Sequence, residues 1–344
     1  MIMRSIFTIT LSIMATAAVA GTLGGPLELE DDGSFFVGGT PANTNFPGVP
    51  AAGGAAAPGG IIVNQMYVHY RIPKASNRVA VVMVHGSGHT GATFETTPDG
   101  REGWATYFLR KNFPVYVVDH SGRGRSGFDP TAVNQARVEG NAALLSDFPI
   151  ATRERAWQFF RFGPTFPTPH EGTQFPMEAV DQYFAQLVPN TETSLAGAGQ
   201  NTVKGLAALL DKIGPAVVLV HSQSGAYGLD LIRSRPAHVR AFVNVEGNCA
   251  PIAANEIASP FATVPFLAVW GDNSVGAPGP NGNARRDGCA ATVSSIKQAG
   301  GAATFLLLPE QGIKGNTHMM MLDRNNLVIA DKIIDWIGTT VAKN

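Results

Sequence analysis

The chain has 344 residues, 44% of them hydrophobic and 15% charged, enough to bury a full core as one large α/β domain or two small ones, and these proportions exclude a disordered tail or a coiled coil. Its 25 basic and 26 acidic side chains are scattered rather than blocked, so the sequence carries no electrostatic footprint for nucleic acid or for an anionic membrane surface.

The first twenty residues read as a cleavable export signal: one Arg, an apolar stretch from about Ile6 to Ala18, and the small-x-small ending Ala18-Val19-Ala20. That apolar stretch is short for a bilayer span, and no Cys near the cleavage site offers a lipid anchor. Residues 21–60, with "FPGVPAAGGAAAPGG", are too rich in Gly, Pro and Ala to repeat a hydrophobic face; they read as an extended lead-in, either a mobile tail or an arm onto a second subunit of a homodimer. Ordered structure is expected to begin near "QMYVHYRIP", whose alternation suits an edge strand, and residues 61–344 form the folded domain.

Short aliphatic runs recur at 79–84, 115–118, 216–220, 241–245, 266–269 and 304–308, each the length of a strand buried on both faces. Amphipathic segments lie between them, with Val203, Leu206, Leu210 and Ile213 on one stripe and Ile329, Ile333, Trp336 and Ile337 on another. This alternation predicts an α/β fold, a mostly parallel central sheet flanked by helices, with ligands at the strand carboxyl ends. The interval 128–200, containing "AWQFFRFGPTFPTPHEGTQFP", breaks the rhythm and is too long for a plain connection, so it is expected to fold over the active edge as a lid. Its Trp157, Phe159, Phe160 and Phe162 are candidates for lining an apolar pocket, although core packing accounts for them equally well.

Three places carry parts for nucleophilic chemistry. A serine needs a base for its proton and fixed N–H groups for the developing oxyanion. The first place is "VVLVHSQSGAYG", where a buried strand breaks into a tight turn and a helix would begin. Ser222 and Ser224 both compete there, sterics favouring Ser224 and the order of residues favouring Ser222, so spacing alone leaves them even. The second is "VVMVHGSGHTG", whose loop would turn the Ser87 amide toward the nucleophile to join that of Gln223. The next strand ends in "VVDHSGRGRSG", an Asp before a Gly-rich turn, which suits a hydrolase of this kind and a plain tight turn equally. The third is the base: of eight histidines only His318 lies beyond residue 238, and chain order in sheets of this kind runs Ser, acid, His. For the acid, Glu246 at the end of "AFVNVEG" is preferred over Asp272, which would otherwise brace a loop. No cofactor is called for, and Cys249 and Cys289 make no closed metal site; in an oxidising compartment they would form a single disulfide.

Through "GSFFVGG", "TPDGREGW", "DHSGRGRSG", "RFGP", "TQFP", "HSQSG" and "THMMMLDRNN" the chain resembles secreted bacterial esterases of the α/β-hydrolase superfamily whose triad takes a Glu after the sixth strand. The resemblance runs from about Gly33 to the C-terminal helix. It implies Ser222 as nucleophile, Glu246 as acid, His318 as base, a Cys249–Cys289 disulfide, and a small-molecule ester as substrate. The same triad would also serve a lactone, a β-diketone or a polymer-derived ester, and a non-catalytic binding protein is the reading from another class. One departure is plain: that family carries two adjacent, mutually bonded cysteines after His-Gly, where this chain has Ser87-Gly88.

Overall fold

The aliphatic runs all enter one sheet, the last of them, at 304–308, at its edge and only half-buried. The computed structural model describes residues 25–49, 57–191, 195, 197–249, 252–274 and 282–341; the export-signal segment lies outside them. The strands are β1 (Leu29–Val37), β2 (Thr40–Thr44), β3 (Gly59–Val63), β4 (Met66–Pro73), β5 (Ala80–Val84), β6 (Val115–Asp119), β7 (Ala216–His221), β8 (Val239–Val245), β9 (Phe266–Trp270) and β10 (Ala303–Leu307). The helices are α1 (Ala92–Glu95), α2 (Trp104–Arg110), α3 (Thr131–Glu139), α4 (Arg153–Phe159), α5 (Val180–Ala185), α6 (Ala198–Ile213), α7 (Ser224–Ser234), α8 (Ala254–Ile257), α9 (Asn283–Gln298) and α10 (Asn326–Val341).

Eight strands make one sheet in the order β1, β4, β6, β5, β7, β8, β9, β10. The β1–β4 and β4–β6 pairs are antiparallel, and every pair from β6 to β10 is parallel. Alternate residues serve opposite faces, as the period of a strand demands. Val81, Met83, Val217 and Leu219 meet Ile329, Ile333 and Ile337 of α10 and Phe108 of α2. Val82, Val84, Val218 and Val220 meet Leu206 and Leu210 of α6, Ile232 of α7 and Ile296 of α9. Each such fully buried aliphatic side chain stabilises the fold by roughly 1.5–3 kcal/mol. The Cys249–Cys289 disulfide ties the loop after β8 to α9.

Order begins earlier than "QMYVHYRIP". Two strands lie inside the supposed lead-in: β1 pairs with β4 at the sheet edge, and β2 pairs with β3 in a separate two-stranded sheet. An edge strand needs only one hydrogen-bonded side and partial cover. Accordingly β1 keeps Glu30, Asp31 and Asp32 exposed and buries Val37, and those acidic residues hide its alternation. Gly33 lies beneath Tyr70, whose hydroxyl would stand 2.8 Å from any added Cβ.

The insertion divides in two. Phe128, Val138, Leu145, Phe148 and Ile150 are exposed, whereas Trp157, Phe160, Phe162, Phe175 and Tyr183 are buried in the same core cluster as residues of α2 and α10. The second part meets the carboxyl ends of the central strands.

Candidate active site

The nucleophile candidates sit where β7 reverses into α7. All six residues of β7 are buried, and the chain turns at Ser222, which adopts φ +54°. A non-glycine residue there costs about 1–3 kcal/mol and persists only when its surroundings hold it. Here the Ser222 carbonyl accepts N–H bonds from Gly225 at 3.0 Å and Asn248 at 3.2 Å. The tight approach falls at Gly225, where an added Cβ would meet the Asn248 backbone N at 2.4 Å. The requirement for small residues thus lies three positions after Ser222 rather than two either side of a serine, which removes the steric preference for Ser224. Ser224 instead donates its hydroxyl to the His85 carbonyl and accepts from His120 Nε2, buried away from the cleft.

Ser222 Oγ lies 2.9 Å from His318 Nε2, and His318 Nδ1 lies 2.6 Å from Glu246 Oε2. Glu246 leaves β8 at φ +48°, its own amide bonded to the Val269 carbonyl at 3.0 Å, so the carboxylate is aimed by backbone on both sides. His318 arrives on a loop held by two other carboxylates. Asp272 accepts the amides of Gly315 at 2.7 Å and Asn316 at 2.8 Å; Asp323 accepts the Thr317 amide and hydroxyl, each at 2.8 Å, and the Asn316 side chain at 2.9 Å. Asp272 therefore braces the loop that carries the imidazole, and Glu246 is the carboxylate touching it. The His318 amide donates to the Phe160 carbonyl at 3.0 Å, and the Phe160 ring stacks on the imidazole at 5.9 Å.

The charges in contact with this group are buried. Arg161, fully buried in the insertion, donates through Nη2 to Glu246 Oε1, which also accepts the Gly271 amide at 2.8 Å. Burial alone would raise the Glu246 pKa; the Arg161 charge and the His318 contact outweigh it and bring the carboxyl down to about 2. For His318, burial together with the Arg161 and Arg285 charges outweighs Glu246 and lowers the imidazole to about 4. The imidazole is then neutral at neutral pH. With ionised Glu246 accepting from Nδ1–H, Nε2 is left to accept the Ser222 proton.

Opposite lies the loop after β5. Gly86 is pressed so closely that an added Cβ would lie 2.9 Å from Ser222 Cβ and 2.8 Å from His221 Nδ1. This brings the Ser87 loop beside Ser222, while Gln223 caps α7 at its positive end. A cavity of about 220 Å³ opens from Ser87 and Gly88 toward Phe159, Phe160, Ile150 and Val188. Phe159 and Phe160 are thus lining residues, whereas Trp157 bonds the Thr168 carbonyl at 3.0 Å and Phe162 packs on Phe175 and Tyr183.

No protein-family model matches the chain. It is 31% identical to the probable secreted lipase phiG of Fungal sp. (strain ATCC 74256), over 79% of this chain and 85% of that protein. A solved structure described as a novel bacterial esterase superposes with a TM-score of 0.87 at 40% identity, covering 93% of this chain and 99% of that one. The chain belongs to the esterase group of the α/β-hydrolase superfamily. Within this esterase fold three residues absent from the sequence reading stand beside the site: Arg161 on Glu246, Asp323 behind His318, and Arg123 under the Ser87 loop. The motifs "RFGP", "THMMMLDRNN" and "DHSGRGRSG" contain them, yet nothing in their spacing marks a role.

Proposed function

We propose that this chain is an exported, cofactor-free serine carboxylic ester hydrolase acting through an acyl-enzyme on small alkyl or aryl esters. Ser222 Oγ attacks the ester carbonyl as His318 Nε2 takes its proton; the imidazolium then protonates the leaving alcohol, and water repeats the sequence to release the acid. Glu246 holds Nδ1–H and stabilises the imidazolium, and the amides of Ser87 and Gln223 receive the oxyanion. The observation that carries this reading is the unbroken contact from Ser222 through His318 to Glu246, at 2.9 and 2.6 Å. A mostly apolar cavity beside Ser87 supports an apolar acyl or aryl group, with the insertion as its cap. Export is supported by the leader-like N-terminus and by the secreted relative. Among the described residues no helix is long and apolar enough to cross a membrane.

The test is covalent. A fluorophosphonate probe should add one adduct, mapped to the Ser222 peptide, and Ser222→Ala should lower the release of p-nitrophenol from short esters by about 10⁶-fold. Ser224→Ala should retain part of the activity. An adduct on Ser224, or none on folded protein, overturns the assignment.

A further inference from the structure

Beneath the Ser87 loop lies a guanidinium whose acceptors come from three separate stretches of chain. Arg123, in the turn after β6 and 2% exposed, donates through Nη1 to the carbonyls of Gly86 at 2.9 Å and His89 at 3.2 Å. Through Nη2 it donates to the side-chain carbonyls of Gln223 at 3.3 Å and of Asn190 in the insertion. These acceptors flank both amides assigned to the oxyanion. The Gly86 carbonyl and the Ser87 N–H belong to one planar trans peptide and point in opposite directions, so a donor that fixes the carbonyl fixes the amide too. His85 Nδ1 adds a second donor to the Gly86 carbonyl at 2.9 Å, and His89 Nδ1 holds the Ser87 carbonyl at 2.8 Å. Both peptide planes around residue 87 are therefore set by side chains. The loop needs this, because Gly88 follows at φ +73° and imposes little direction of its own.

We infer that Arg123 is a positioning residue whose guanidinium sets the direction of the Ser87 amide and links it to Gln223, so that the two oxyanion donors hold one geometry, joined through Asn190 to the insertion. The inference rests on the hydrolase reading above. An Arg suits the task because its planar fork presents several donors at fixed angles, which an ammonium does not.

The experiment compares the full chain with Arg123→Met and Arg123→Lys. For Arg123→Met, kcat on p-nitrophenyl acetate should fall about 100-fold with KM within about threefold, the size of losing one oxyanion donor. Affinity for an aryl trifluoromethyl ketone, whose hemiketal oxygen occupies the same amides, should fall by the same factor as kcat/KM, while the acid limb of the pH profile stays in place. Arg123→Lys should recover less than about a tenth of the lost rate. A folded Arg123→Met with parental kcat, or one that keeps its ketone affinity while kcat falls, overturns the inference. Should Arg123→Met fail to fold, Gln223→Ala carries the test: removing one acceptor should lower kcat and ketone affinity together by about three- to tenfold, and parental values for both overturn it. A parent chain that cleaves no ester and takes no fluorophosphonate refutes the hydrolase reading and the positioning role together, whereas an active parent with an equally active Arg123→Met refutes the positioning role alone.

Discussion

Ser222 stands between two flanks that surround the same side chain, histidine, with different partners. On the acid flank a buried Glu246 faces Arg161 and His318, and two further carboxylates, Asp272 and Asp323, hold the loop that carries the imidazole. On the oxyanion flank the same side chain, histidine, recurs without any carboxylate against it. His85 Nδ1 meets the Gly86 carbonyl, His89 meets the Ser87 carbonyl and the Tyr183 hydroxyl, and His221 Nε2 meets the His318 carbonyl. Burial lowers the pKa of His85 and His221 well below the ordinary value and that of His89 to about 3. Burial thus makes an imidazole neutral wherever it occurs; it becomes a useful base only where a fixed anion waits to stabilise the cation it forms in the transition state.

The largest break in that contrast is Glu246→Gln. It keeps the shape and removes the anion, turning His318 electrically into another member of the oxyanion flank. We expect kcat on aryl esters to fall about 10³- to 10⁴-fold with KM little changed; retention of more than a tenth of the rate would show that the anion is not what distinguishes His318. Arg161→Met comes next. Removing one partner of a buried pair should destabilise the protein by about 3–5 kcal/mol, read by urea unfolding. The pH profile carries the sign: the Arg161 charge opposes the imidazolium, so its loss raises the His318 pKa. The acid limb of kcat/KM, expected at about 4 in the parent, should move upward. Burial, the main cause of the depression, and the Arg285 charge both remain, so the limb should stay below the ordinary imidazole value. An unmoved limb in a folded variant counts against the electrostatic role of Arg161.

The contrast between flanks also explains what could be read without coordinates. Strands buried on both faces are uninterrupted aliphatic runs, so β5, β7, β8 and β9 stand out in the sequence; β10, read as such a strand, is instead a half-buried edge strand, and β1 carries its acidic residues on an open face and does not stand out. Chain order singles out His318 because no other histidine follows residue 238. Ser222 and Ser224 are inseparable by composition, since what separates them is where the backbone takes φ +54° and where Gly225 meets Asn248. Arg161 and Arg123 act across 85 and 37 residues on a carboxylate and a carbonyl, and no periodicity records such a contact. Asp323 is only six residues from Thr317, but its importance comes from complete burial, which spacing does not disclose. The aromatic-rich insertion shows the same limit, because one composition supplies both cavity lining, at Phe159 and Phe160, and packed core, at Trp157 and Phe162.

A smaller effect sharpens the acid flank. Burial raises the Asp323 carboxyl to about 7 although Asn316 and Thr317 bond it, and the Glu246 charge adds to the rise. A raised carboxyl contributes stability that is present below its unfolded value and is lost as pH climbs through the folded one. The parent's unfolding free energy should therefore decline from about pH 4 and level off above pH 7, with a slope from this group of at most about 1.4 kcal/mol per unit. Asp323→Asn removes that slope, because an amide oxygen can still accept from Asn316 and the Thr317 amide while its NH₂ donates to the Thr317 hydroxyl. Urea titrations at pH 5, 6 and 7 check it, and equal slopes in parent and variant would count against a raised Asp323.

The smallest effect tests the histidines beside the Ser87 loop. His89 Nδ1–H donates to the Ser87 carbonyl, so its Nε2 accepts from the Tyr183 hydroxyl at 3.1 Å, with both side chains buried. Tyr183→Phe deletes that donor without altering any charge. The cost is an unsatisfied buried acceptor, about 1–3 kcal/mol of stability, read by urea unfolding. Because His89 keeps its hold on Ser87 and remains neutral, kcat should change by less than about threefold and the acid limb should not move. A limb displaced by more than about half a unit would mean that His89 exchanges charge with His318. The two flanks would then be one titrating network, and the distinction between inert and working imidazoles would have to rest on distance to Ser222 instead of on the anion behind the ring.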